Sequence, residues 1–352
     1  MLLYNLIKPL LFKLDAELSH TLSLKFLNTL HKLKILKLLC KACYYTNSIP
    51  NTNQKAIHIN ILGINFKNKI GLAAGLDKNG DYIDALGELG FGFIEIGTVT
   101  PKPQLGNTRP RLWRIEKYHS IINRMGFNNK GVDYLIENVR KSKWVKNGGI
   151  LGINIGKNAS TKIENANQDY IISLEKIYNY ASYITVNISS PNTEGLRDLQ
   201  SGNAFCQLLE CIKSKQNELS IINNKYVPIF IKIAPDLSEA DVNFIANSLI
   251  LYKIDGVIAA NTTIDKSMLP EQYRHEGGLS GKLLQSQSNY ILKTLAEHLK
   301  GKIPIIGVGG IADPLDAVEK INLGADLVQI YSGLIYEGPR LIQKCINSLI
   351  YK

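Results

Sequence analysis

Lys232 stands inside Ile229-Phe-Ile-Lys-Ile233, a run otherwise apolar enough to be a buried strand. A buried ammonium is costly unless paired, so this residue points to an anionic or electron-rich ligand. Asn123, Asn154, Asn187, Asn192 and Asn261 fall at the ends of similar runs or in the loops beside them. An amide both donates and accepts, so a converging set suits a ring with adjacent C=O and N–H groups, such as a pyrimidine. Singly, each also serves as a loop cap. Gly307-Val-Gly-Gly-Ile311 and Tyr331-Ser-Gly333 follow two late apolar runs, and Gly277-Gly-Leu-Ser-Gly281 lies upstream. Glycine lets backbone N–H groups approach phosphate oxygens closely, and the pair of late loops points to a phosphate-bearing ligand. Ala73-Ala-Gly75 leaves room for a flat ring against backbone, or for tight strand–helix packing.

Other chemistries find less support. Ser189-Ser-Pro-Asn-Thr193 has no histidine nearby, and the neighbours of His275 are charged, so a Ser-His-Asp triad is not expected. His20 lies in the N-terminal segment, apart from these loops. Cys40-Lys-Ala-Cys43 has redox-pair spacing but sits in a Leu/Lys helical run rather than after a strand. No second cysteine pair accompanies it, and no metal site is expected.

One frame would bring these positions together. Apolar runs begin at Ile70, Phe93, Ile150, Tyr183, Ile229, Gly256, Ile305 and Leu327, separated by helix-length segments. Eight buried-strand signals alternating with helices predict a parallel sheet, and eight strands close a (β/α)8 barrel. An open doubly wound sheet is the alternative. Polar residues cluster at the C-terminal ends of the runs, the face where such barrels build active sites. These include Asp77 and Lys78, Thr98, Asn154, Asn187 with Ser190, Asn261 with Thr262, and Tyr331 with Ser332. A small hairpin is predicted ahead of the barrel, from Ile57-His-Ile-Asn-Ile61 and Gly63-Ile-Asn-Phe-Lys67.

The first 45 residues differ. Leu2, Leu3, Leu6, Ile7, Leu10, Leu11 and Leu14 recur at helical spacing, and a second stretch runs from about Leu18 to Leu39. Lys8, Lys13, Lys25, Lys32, Lys34, Lys37 and Lys41 are interspersed against only Asp15 and Glu17. This reads as two basic amphipathic helices, packed on the main domain or lying on an anionic bilayer. Residues 46–56 are polar and turn-rich and read as a linker. The expected division is therefore a helical segment over 1–45 and a barrel over 46–352.

Composition bounds the rest. Apolar content of 45% and charged content of 20% over 352 residues suit a globular chain with a full core. A net charge of +11 suits an anionic ligand or membrane surface; without zinc-finger spacing or basic tracts interleaved with aromatics, no nucleic acid is expected. The odd count of five cysteines points to a reducing compartment. No run of 18 apolar residues predicts a transmembrane helix, and the N-terminus resembles neither a cleaved signal nor an Arg-rich transit peptide.

Ala73-Ala-Gly-Leu-Asp-Lys78, Ile96-Gly-Thr-Val-Thr-Pro101, Ile122-Asn-Arg-Met-Gly-Phe-Asn128 and Gly152-Ile-Asn-Ile-Gly-Lys157 resemble the motifs of dihydroorotate dehydrogenases. So do Val186-Asn-Ile-Ser-Ser-Pro-Asn192, Ile231-Lys-Ile-Ala-Pro235 and Gly307-Val-Gly-Gly-Ile311, and the likeness runs over almost the whole chain. Ser190, where soluble members carry cysteine, and the N-terminal helices resemble the quinone-dependent, membrane-associated class 2 group.

The resemblance implies oxidation of (S)-dihydroorotate to orotate in pyrimidine biosynthesis, with FMN as prosthetic group and a membrane quinone as acceptor. It implies FMN contacts from Ala74, Gly75, Leu76, Asp77, Lys78, Thr98 and Asn154. Asn187, Lys232, Ala260, Gly281, Gly310, Tyr331 and Ser332 complete that set. Substrate contacts would come from Lys78, on the carboxylate, and from Asn123, Arg124, Met125, Gly126 and Phe127. Asn187, Asn192, Asn261 and Thr262 would complete them, and His20 and Arg114 would line the quinone entrance. Ser190 would take the C5 proton while C6 passes a hydride to the flavin. The family commonly has threonine where this chain has Ala260, which removes a hydroxyl contact but leaves the backbone. The implied location is peripheral, on the cytoplasmic face of a bacterial cell membrane. The competing readings are a soluble enzyme of this family using fumarate or NAD, and a flavin-free phosphate-binding barrel.

Overall fold

The computed structural model describes residues 2–40 and 59–350. The predicted linker, Cys43, His58 and the 45/46 division lie outside the described residues.

Two N-terminal helices come first, α1 (Leu2–Lys13) and α2 (Ala16–Lys32). The Asp15 carboxylate caps α2, accepting from the amides of Glu17 (3.0 Å) and Leu18 (2.9 Å). The second predicted helix is broken: Leu33 and Lys34 form a turn, Lys34 takes a left-handed φ of 61°, and helix resumes over 35–40. Leucines continue at helical spacing through the turn, so periodicity concealed the break.

A short antiparallel hairpin follows, β1 (Ile59–Ile61) with β2 (Ile64–Phe66). The eight predicted strands then form one closed parallel barrel. In chain order they are β3 (Ile70–Leu72), β4 (Phe93–Val99), β7 (Leu151–Ile155), β8 (Tyr183–Asn187), β9 (Ile229–Ile233), β10 (Gly256–Ala259), β12 (Ile305–Val308) and β13 (Leu327–Ile330). Pairing of Val328 with Ile70 closes the ring. These strands are buried along their whole length, as sheets covered by helices on one side and filled by side chains on the other require.

Aromatic residues fill the N-terminal end of the barrel. Phe93 packs edge-on to Phe66 (5.2 Å between centroids) and Tyr183 edge-on to Phe230 (5.3 Å). Glycines make the room: a Cβ on Gly71, Gly152 or Gly256 would lie within 2.3 Å of Phe93, Tyr183 or Phe230 respectively. The hairpin contributes Phe66 to this layer and so plugs the bottom of the barrel.

The opposite face carries an element that strand periodicity did not predict. β5 (Leu112–Ile115), β6 (Ser120–Asn123) and β11 (Gly278–Gly281) form a three-stranded antiparallel sheet from the loops after β4 and β10. The Gly277–Gly281 text, read as a loop, is largely strand. This sheet stands over the barrel mouth and is also where the N-terminal helices dock. The Arg114 guanidinium donates to the carbonyls of Leu11 (3.2 Å), Phe12 (3.0 Å) and Leu14, at and just beyond the C-terminal end of α1.

Candidate active site

A chain of buried polar side chains crosses the barrel below its mouth. Glu95 of β4 accepts hydrogen bonds from Asn154 (2.8 Å), Tyr183 (2.9 Å) and Gln329 (2.8 Å). Thr98 donates to Asn154 Oδ1 (2.6 Å) and accepts from Asn187 Nδ2 (3.0 Å). Asn187 Oδ1 accepts from the Ser189 hydroxyl (3.1 Å), and Asn261 Nδ2 donates to Ser189 Oγ (2.9 Å). Inward positions of neighbouring strands thus satisfy one another, as buried polar groups must.

Two groups in this layer stay open. Lys232 is buried and makes no hydrogen bond to the described residues; burial lowers its pKa, and the nearby Glu95 charge opposes that shift. Gln329 Oε1 is buried without a partner. Both residues line a cleft above the network. The cleft encloses about 1260 Å³, open solvent at its mouth included.

The cleft gathers most of the predicted positions. Ala74, Gly75, Thr98, Lys232 and Ala260 line its floor, with Gly281, Gly310, Tyr331 and Ser332 at one end. Asn123, Met125, Gly126 and Phe127 line it from the loop after β6, and Lys78 from the loop after β3. Asn187, Ser190, Asn192, Asn261 and Thr262 line it from the strand ends opposite. Ser190 Oγ accepts the Asn192 amide (3.2 Å), and no titratable side chain among the described residues hydrogen-bonds to it. Asn192 Nδ2 donates to the Asn123 carbonyl (3.1 Å) and so ties the two loops together.

At the glycine-rich end, Gly310 has φ +81°, and a Cβ there would lie 2.5 Å from Gln285 Cα. Gly281 has φ +97°, and a Cβ would lie 2.4 Å from the His119 carbonyl. Only glycine fits either position, and each brings backbone to the cleft wall.

Lys78 and His20 meet where the cleft faces α2. Burial pushes the Lys78 ammonium down to about 8, opposed by the Glu17 carboxylate, and Nζ donates to the Gly75 carbonyl (3.0 Å). Burial, helped by the Lys78 charge, pushes His20 down to about 4, so this imidazole is neutral near pH 7. Glu17 itself is buried between Arg111 (2.7 Å) and Arg109 (3.0 Å). Burial alone would raise its carboxyl, but the two guanidiniums prevail and hold it at about 2.

A second, apolar cavity of about 1750 Å³ lies between the N-terminal helices and the barrel. Leu11, Phe12, Leu24, Leu27, Leu30 and Leu86 are among its walls. His20, Leu112, Ile121 and Tyr331 line both cavities, so the two adjoin at those residues.

Five predicted residues stand outside the cleft lining. Asn154 lies beneath Thr98 in the buried network. Asp77 turns away, its carboxylate accepting the amides of Asp81 (2.9 Å) and Tyr82 (2.7 Å). Leu76 and Arg114 face the apolar cavity, and Arg124 pairs with Glu276 (2.8 Å). Sequence reasoning missed Glu95, Gln329, Ser280 and Glu17. Glu95 carries the signal that marked Lys232, a charge inside an apolar strand, and could have been found the same way. Among the described residues no group of three or more His, Cys, Asp or Glu is placed to hold a metal ion.

Residues 56–352 match the family model for dihydroorotate dehydrogenase. A protein of Neisseria meningitidis serogroup C named dihydroorotate dehydrogenase (quinone) is 54% identical over 349 residues, 99% of each chain. One of the same name from Buchnera aphidicola is 56% identical over 348 residues, 98% of this chain and 99% of its own. The crystal structure of Eimeria tenella DHODH in complex with ferulenol superposes with a TM-score of 0.81 at 34% identity, covering 95% of this chain and 90% of that one.

Proposed function

The chain belongs to the dihydroorotate dehydrogenase family, and we propose that it oxidises (S)-dihydroorotate to orotate with FMN as prosthetic group and a quinone as acceptor, a step of pyrimidine biosynthesis. The observation that carries this reading is the junction, at His20, Leu112, Ile121 and Tyr331, of a cleft set with amides and two lysines and a cavity that is almost wholly apolar. A polar ring acid and a lipid-soluble acceptor can then reach one cofactor by separate routes.

The cleft fits FMN. Lys232 and Gln329 Oε1 offer an unpaired donor and acceptor, and the tight glycines 281 and 310 present backbone where a side chain cannot stand. Gly281, Gly310 and Ser332 would hold the phosphate. Ala74, Gly75, Thr98, Asn187, Lys232, Ala260 and Tyr331 would hold the ring system, with Leu76, Asp77, Lys78 and Asn154 supporting that wall. Bound FMN supplies the chemistry the side chains lack, accepting a hydride and passing on two electrons.

The chain's own residues do the rest. Lys78 holds the substrate carboxylate, and Asn123, Asn187, Asn192, Asn261 and Thr262 read the ring edge, with Arg124 to Phe127 closing over it. Ser190 takes the proton from C5. A serine is a weak base, so the surrounding amides and the exclusion of water must stabilise the transfer. His20 and Arg114 line the approach of the quinone.

Residues 1–45 form the quinone-entry segment and 46–352 the catalytic barrel. Leu6 (69% exposed) and Leu10 (65%) turn outward on α1, which ends at the exposed Lys13, and Leu18, Leu22 and Phe26 are exposed on α2 with Lys25. That combination supports peripheral binding to the anionic cytoplasmic face of a bacterial membrane. No helix among the described residues is long and apolar enough to cross one.

The test is a flavin spectrum and an acceptor screen on the purified full-length chain. A yellow protein that forms orotate with a long-chain quinone, and not with fumarate or NAD, is expected. Turnover with fumarate or NAD alone would favour the soluble reading, and a colourless inactive protein the flavin-free barrel.

A further inference from the structure

Lys320 is the one fully buried lysine among the described residues, with 0% of its surface exposed, and it lies outside the cleft lining. It sits on the helix Pro314–Asn322, outside the barrel wall and behind the glycine loop that follows β12. Its Nζ donates to Ser288 Oγ (2.9 Å) and Asn289 Oδ1 (2.7 Å) on the neighbouring helix Gln285–Leu299. Because Ser288 Oγ accepts from the lysine, its own proton is left to donate, and it is shared between the Gln285 carbonyl of its own helix (3.0 Å) and the Gly309 carbonyl (3.1 Å). The Gly309–Gly310 peptide is planar and trans, so its N–H points opposite to its C=O. Fixing the carbonyl against Ser288 therefore aims the Gly310 N–H the other way, toward the cleft that both glycines line. That N–H has no hydrogen-bond partner among the described residues.

Such a lysine is expensive to keep. Burial pushes it down to about 7, opposed by Glu319 and Asp316 on its own helix. The same two carboxylates take the Gln285 amide (2.7 Å to Asp316, 3.2 Å to Glu319), and Gln285 is the residue packed under Gly310. The loop is thus braced twice from behind, by Ser288 on its carbonyl and by Gln285 beneath its Cα. A bare turn would need neither brace.

We infer that Lys320 is a positioning residue for the phosphate of the flavin nucleotide, acting through Ser288 on the Gly309–Gly310 peptide without touching the ligand. The inference rests on the FMN reading above. Its signature is selectivity: the brace serves the phosphate and leaves the isoalloxazine ring alone. Full-length chain stripped of flavin is titrated with FMN and with riboflavin, which lacks the phosphate, following flavin fluorescence. Lys320→Met, similar in length but without the charge, is expected to weaken FMN binding on the order of tenfold and riboflavin binding by no more than about twofold. Ser288→Ala is expected to show the same selectivity with a smaller loss, and it carries the test alone if Lys320→Met does not fold. Equal losses for both flavins in these variants, or unchanged FMN affinity, would overturn the inference. A wild-type chain that binds neither flavin would instead remove the cofactor reading, and the inference with it.

Discussion

Glu17→Gln should separate the two half-reactions, because Glu17 makes a buried ionic contact between α2 and the segment that leads into β5. Its carboxylate receives Arg111 through Nη2 (2.7 Å) and Nε (3.1 Å), while Arg111 Nη1 is committed to the carbonyls of Leu105 (2.7 Å) and Asn107 (2.9 Å). Arg109 also donates to it (3.0 Å), but with its side chain 72% exposed it adds less than Arg111. Burial works against the charge, yet the carboxyl is held at about 2 against an ordinary 4.5. At about 1.4 kcal/mol per pH unit, that corresponds to at most about 3 kcal/mol of folding stability carried by the charged carboxylate. Removing the charge also leaves Arg111 buried and unpaired, a loss of similar size, about 3–5 kcal/mol. The folded value is depressed, so this contribution is complete above 4.5 and is lost as pH falls toward about 2. Glu17→Gln should therefore loosen the helix pair at every pH and remove that acid-dependent step. Quinone-dependent turnover should fall by at least about tenfold, while flavin bleaching by dihydroorotate persists. Glu17 also holds Lys78 up, so the bleaching assay belongs near pH 6, where Lys78 stays protonated in the variant as well. A variant with wild-type quinone turnover and an unchanged Tm would refute the docking role.

Ser190→Ala should keep its flavin but slow bleaching by dihydroorotate by about 10²-fold or more, the usual scale for a lost general base; stopped-flow reduction at the wild-type rate would remove the assignment. Lys232→Ala takes a cation from beside the proposed ring site, so FMN should bind more weakly or its potential should fall by about 30 mV, equivalent to 1.4 kcal/mol for a two-electron couple; an unchanged flavin content with an unchanged potential would exclude both. Deleting residues 1–45 should abolish sedimentation with anionic vesicles and reduction of a long-chain quinone while bleaching survives, provided the product is monodisperse; full quinone turnover by that product would contradict the entry role.

The barrel was legible because its strands are continuous apolar runs, the pattern of a sheet covered on both faces. All eight appear within a residue or two of their predicted places, and most of the polar residues at their ends, though not Asp77 or Asn154, line one cleft. The sheet over the mouth left no such trace. Its strands are four residues each, and β6 pairs with β11 across more of the chain than any local pattern spans. Glu17 was visible only as a rare acid among lysines, since its partners Arg109 and Arg111 lie far along the chain. Lys320 occupies an ordinary amphipathic helix, and its burial follows from how that helix packs, which periodicity does not encode.

The two cavities explain why the N-terminal helices are built into the enzyme rather than merely tethered to it. Among its apolar lining the cleft sets Asn123, Asn187, Asn192, Asn261, Lys78 and Lys232, groups that favour a charged polar ring over a hydrocarbon tail. The second cavity is bounded mainly by leucines and phenylalanines, which reverse that preference. Neither ligand can enter the other's route without leaving polar groups unpaired or apolar surface wet. At their junction Leu112, Ile121 and Tyr331 present mostly apolar surface, and His20 is held neutral by burial and by Lys78. If Lys78 holds the substrate carboxylate as proposed, a protonated imidazole there would compete with it, and it would add a charge at the mouth of an apolar passage. Keeping it neutral lets the same side chain face both cavities, so the helix that carries His20 forms part of the wall between them.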